Sequence, residues 1–109
     1  MKQINLIELS SYLSKIYKEI GFYYSNEPCD WMDDIRNMES NAEEISEDIN
    51  VDGDGKILKE YNTPIYKNGD CIRPCVYFEH TYLKDGTVKT NYYLSTYDYY
   101  KYIKVLSNL

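Results

Sequence analysis

The stretch DWMDDIRNMESNAEEISEDINVDGD, residues 30–54, decides how the chain folds, because its apolar residues fit one helical face while its acids crowd the turns between them. Trp31, Ile35, Met38, Ala42, Ile45 and Ile49 recur at three- and four-residue steps, the spacing of an amphipathic helix. Ser25-Asn26-Glu27-Pro28 precedes them as a start signal, since proline is tolerated in a first turn where its missing N–H would have no partner. The spacing predicts one helix running to about Ile49, with Ser40-Asn41 as a break that would divide it in two.

The same stretch concentrates the charge. From Glu27 to Asp54 eleven acids face a single base, Arg36, a net of -10 in a chain whose total is -6, so the remainder sums to +4. In a helix, like charges four apart, such as Glu43 with Glu47 and Glu44 with Asp48, each cost roughly a few tenths of a kcal/mol. A solvated face is the plain account; a surface that a basic groove occupies is the functional one. On a helix, acids one turn apart would present charge every ~5 to 6 Å, a scale similar to that of phosphates along a nucleic-acid strand. The residues expected to meet such a partner are Asp30, Asp33, Asp34, Glu43, Glu44, Glu47, Asp48, Asp52 and Asp54.

Elsewhere the pattern is simpler. Leu6, Leu9, Leu13, Ile16 and Ile20 keep helical spacing, Asn5 and Glu8 resemble a capping box, and Gly21 ends the run, predicting a first helix over about 5–20. From Gly55 onward Tyr, Val, Ile and Thr dominate, with turns at Asn68-Gly69 and Asp85-Gly86. Strands are predicted near 56–66, 71–83 and 87–94, with Val76, Phe78, His80 and Tyr82 on one face of the second. Ser95 and Asp98 form a second capping box for a C-terminal helix. The resulting expectation is one α+β domain over residues 1–109, in the order α-α-β-β-β-α, with a three-stranded antiparallel meander packed against helices.

Several other sites are testable against structure. Asn50, Asp52 and Asp54 stand at the first three ligand positions of an EF-hand-like loop with Gly55 as its turn glycine, but Tyr61 occupies the position of the bidentate acid. A helix-to-strand turn accounts for the same residues, with calcium binding as the alternative. Cys71, Cys75 and His80, with the distant Cys29, have the wrong spacing for a zinc knuckle and read as inert thiols and a sheet histidine. The run YYLSTYDYYKYIK, residues 92–104, mixes tyrosine with lysine, and Tyr97, Tyr99 and Tyr100 form a secondary candidate interface, with single-stranded nucleic acid as one alternative ligand. The net charge argues against direct binding to nucleic acid or anionic membrane. His80 is the lone histidine and no nucleophile or phosphate-loop signature accompanies it, so no catalytic residue or cofactor is predicted. The first twenty residues contain no unbroken apolar stretch, and three cysteines suit a reducing compartment, which together predict a soluble, intracellular protein.

In size and in the segment from Asp30 to Asp54, the chain resembles the small acidic inhibitors encoded by phages and mobile elements, including anti-CRISPR proteins, and the immunity proteins that neutralise toxic nucleases. The resemblance implies a non-enzymatic protein that binds the basic surface of a nucleic-acid-handling enzyme or effector complex, as a mimic of nucleic acid. It implies no role for any individual residue.

Overall fold

The computed structural model describes residues 1–19, 31–49, 55–62, 66–67, 69–71 and 73–107. Its elements in chain order are β1 (Lys2–Ile4), α1 (Leu6–Glu19), α2 (Trp31–Ser40), β2 (Glu43–Ile49), β3 (Gly55–Tyr61), β4 (Tyr66–Lys67), β5 (Asp70–Cys71), β6 (Val76–Tyr82), β7 (Val88–Leu94) and α3 (Thr96–Ser107). The fold is α+β, but the three-stranded meander is replaced by a five-stranded antiparallel sheet in the order β1-β7-β6-β3-β2, with β4 and β5 as a separate small hairpin. Two strands absent from the expected order, β1 and β2, form its edges.

The decisive correction is at β2. The predicted second helix ends at Ser40 and the chain continues as a strand from Glu43. Asn41 takes over the end of α2, its N–H reaching Asn37 O at 3.2 Å and its side-chain amide donating to the same carbonyl at 2.8 Å. Ser40 Oγ donates back to Arg36 O at 3.0 Å. These bonds put side-chain donors on last-turn carbonyls of α2, a local alternative to continuing the helix. A helix through Glu43, Glu44, Glu47 and Asp48 would also set four acids at its negative end, with no base in the last turn of α2 to offset them. As a strand the acids meet bases instead, since Glu44 lies opposite Lys59 and Asp48 opposite Lys56.

Helices cover one face of the sheet. Ile4, Val76, Phe78 and Leu94 point there, and against them pack Leu9, Tyr12, Leu13 and Ile16 of α1, Ile35 and Met38 of α2 and Tyr102 of α3. Burying each such large side chain contributes about 1.5–3 kcal/mol. The alternation expected for β6 is present, with Val76, Phe78 and His80 buried and Tyr77, Glu79 and Thr81 between them only partly so. Of the apolar seam assigned to the longer helix, Ile35 and Met38 reach the core while Ile45 is exposed.

Both helix caps form as the sequence requires. Asn5 Oδ1 accepts the Glu8 N–H at 2.8 Å and the Asn5 amide bonds the Glu8 carboxylate. At α3, Ser95 Oγ accepts the Asp98 N–H at 3.1 Å and donates to Asp98 Oδ2 at 2.8 Å. The Asp85-Gly86 turn closes β6 onto β7, Gly86 adopting a φ of 85° that costs glycine nothing.

Candidate partner-binding surface

The register of β2 on β3 slips between Glu44 and Ser46, which makes Ile45 the extra residue of a β-bulge. The slip resets the alternation. Glu44 now faces the helix side of the sheet together with Glu47, opposite Lys59 and Ile57, while Glu43, Ser46 and Asp48 face the other side. All four acids are exposed, and none makes a hydrogen bond or ion pair among the described residues.

Among the described residues the opposite face of the sheet contributes nothing to the core, and it runs continuously into this edge. Glu43, Glu60, Tyr77, Tyr93 and Gln3 lie in one row across all five strands. Within it Glu43 is directly opposite Glu60, a like-charge pair that disfavours the local pairing. A polar pocket of about 270 Å³ opens beside this pair, lined by Asn41, Glu43, Glu60, Tyr61 and Asn62. Glu60 Oε1 accepts from the Cys75 thiol at 3.3 Å, and Tyr77 bonds the same sulfur. Burial, more than the neighbouring carboxylates, pushes the Cys75 thiol up to about 12, which suits the inert thiol expected of it.

Not every predicted contact belongs to the surface. Asp34 is buried, 8% exposed, because α2 turns it towards the interior, and it drops out of the exposed set. Asp30, Asp52 and Asp54 lie outside the described residues, as do Asn50 and the side chain of Asp33. Of the EF-hand-like loop, the described part leads into strand β3 rather than a helix. Its terminal residues are engaged elsewhere: Tyr61 OH accepts from Arg73 at 3.3 Å, and Glu60 holds Cys75. Among the described residues no group of three His, Cys, Asp or Glu is placed to hold a metal ion. Tyr97 and Tyr100 of the secondary interface are 69% and 59% exposed, with Lys101 Nζ 4.6 Å from the centre of the Tyr97 ring. Tyr99 instead packs against the core beside Tyr102, 5.8 Å between ring centres.

One constellation escaped the sequence. His80 Nδ1 lies 2.9 Å from Thr90 Oγ1 and its Nε2 3.3 Å from Glu39 Oε1. The arrangement joins a hydroxyl, an imidazole and a carboxylate in the order a nucleophilic site uses, but the histidine is only 6% exposed and serves as a tie between α2 and the sheet. Thr90 was findable, since it pairs with His80 once the β6–β7 turn is placed; Glu39 was not, because its approach depends on how α2 crosses the sheet. Among the described residues no helix is long and apolar enough to cross a membrane. No protein-family model, curated protein or solved structure matches this chain.

Proposed function

We propose that the protein is a non-enzymatic inhibitor that binds the basic surface of a nucleic-acid-handling protein through its acidic sheet edge, as anti-CRISPR proteins and nuclease immunity proteins do in general character. The observation that carries this reading is β2 itself, an edge strand among the described residues whose Glu43, Glu44, Glu47 and Asp48 are all exposed. The mimicry passes from helix to strand. The strand carries two carboxylates on each face, Glu44 and Glu47 on one and Glu43 and Asp48 on the other, so a groove built for a nucleic-acid backbone offers them ready cations. Such association is fast and weakens with salt.

The test is charge reversal against the partner recovered from a bacterial host's cytoplasm. Glu43→Lys with Glu44→Lys and Glu47→Lys should weaken binding at least about tenfold at physiological salt, and the wild-type affinity should fall as salt rises. Unchanged affinity in the triple variant would show that the acidic edge is not the contact.

A further inference from the structure

β2 offers its backbone as well as its charges. It is the outermost strand of the sheet among the described residues, seven residues long, so every second N–H and C=O along it turns away from β3 without a strand to receive it. Sheet edges are ordinarily blunted by brevity, proline, charged side chains or a bulge. The opposite edge, β1, is three residues long and begins with Lys2. β2 is longer and is guarded by the bulge at Ile45 and by four acids, which turn away a neutral or acidic strand but not a basic one.

Those acids choose the occupant. Two copies of β2 laid edge to edge would bring carboxylates against carboxylates, which disfavours self-pairing. A strand carrying Lys or Arg meets the opposite situation on both faces, with Glu44 and Glu47 on the helix side and Glu43 and Asp48 on the other. The pocket between Glu43 and Glu60, with the Asn41 and Asn62 amides at its wall, has the size and polarity to take one ammonium or guanidinium group. Ile45, 48% exposed, gives an apolar residue of the same strand a contact.

We propose that an extended Lys/Arg-rich segment of the partner adds to β2 as a sixth strand, bonded through main-chain groups and selected by the carboxylates on both faces. The proposal rests on the inhibitor reading and specifies how the partner is held. Main-chain bonds supply affinity in this mode and side chains supply selectivity.

A synthetic peptide mixing Arg, Lys and Thr serves as probe, alongside two versions N-methylated at alternate positions, odd or even, with affinities measured by fluorescence anisotropy at low and physiological salt. The unmodified peptide should bind. One methylated phase should bind within about threefold of it and the other lose at least about tenfold, because only alternate N–H groups enter the ladder. Amides at alternate β2 positions should gain protection from hydrogen exchange. Equal affinity of both phases would overturn strand addition while leaving the acidic contact standing. Binding that survives Glu43→Lys with Glu44→Lys and Glu47→Lys, or no binding of the unmodified peptide at either salt, would overturn both. A peptide-independent dimer protected along β2 would assign the edge to a second copy and overturn the proposal.

Discussion

Glu39 of α2 and His80 of β6 meet at 3.3 Å, with the histidine buried and the carboxylate about a third exposed. Because a carboxylate accepts, the ring nitrogen Nε2 donates to Glu39, while Nδ1 pairs with the Thr90 hydroxyl at 2.9 Å, a group able to donate or accept. The bond adds to the hold that Ile35 and Met38 give α2 on the core. His80→Ala should therefore destabilise the protein by about 2–3 kcal/mol, from the void and two lost partners. Glu39→Ala should cost only about 1 kcal/mol, since its carboxylate already reaches water. Urea denaturation of both single variants and the double variant checks this, and the double should cost less than the sum.

Glu43 lies directly opposite Glu60, and a single substitution separates stability from function there. Glu43→Lys converts a repulsive cross-strand pair into an attractive one and should stabilise the fold by about 0.2–1 kcal/mol. The same change should weaken the partner complex. Thermal melts and binding measured on one preparation would show the opposite signs, and a loss of both would mean that Glu43 supports the fold rather than a contact.

The parts of the fold legible in the sequence were those fixed by local chemistry. Asn5 with Glu8 and Ser95 with Asp98 cap their helices because the signals are complete within four residues. The Val76, Phe78, His80 alternation survives because period two is unambiguous once Pro74 and Gly86 bound it. The stretch from Glu43 to Ile49 was misread because Ala42, Ile45 and Ile49 fit helical spacing by coincidence; Ile45 is a bulge residue that interrupts the strand's own alternation. What makes it a strand is β3, through Lys56 and Lys59, and that pairing is tertiary. Lys2–Ile4 is too short for any period to show. The acidic surface was legible as composition, but its geometry, including the loss of Asp34 to the interior, was not.

Tyr102 joins α3 to α1, its hydroxyl donating to Glu8 Oε2 at 2.8 Å and its ring meeting Tyr12 edge-on at 5.3 Å. Tyr102→Phe keeps the ring contact and removes the hydroxyl, so it should cost about 0.5–1.5 kcal/mol. Tyr102→Ala removes both and should cost about 3–5 kcal/mol. Chemical denaturation distinguishes them. If the phenylalanine variant proved as damaging as the alanine one, the hydroxyl bond rather than the packing would be what secures α3.

Alkaline conditions should unfold the protein through three groups that the fold keeps protonated. Burial first, with the Glu60 and Asp98 carboxylates adding to it, holds Cys75 at about 12 against an ordinary 9.0. Tyr77 is raised to about 12 from 10.0, chiefly by its bond to Cys75, and Tyr102 to about 12 from 10.0, chiefly by burial and then by Glu8. Above those ordinary values the unfolded chain releases protons that the folded chain retains, so the slope of stability against pH is negative there. The contribution is present in full below about pH 9 and disappears as pH rises towards 12. Cys75→Ala should remove its own contribution and the part of the Tyr77 shift that comes from their bond, so that the decline is shallower and its onset moves towards pH 10, where Tyr102 titrates in the unfolded chain. In a Cys29→Ser, Cys71→Ser background, Cys75 should also alkylate far more slowly at pH 8 than a free thiol, because only the thiolate attacks. Urea midpoints between pH 8 and 11 test the first claim and iodoacetamide kinetics the second; a flat profile together with fast alkylation would mean that the thiol is open to solvent.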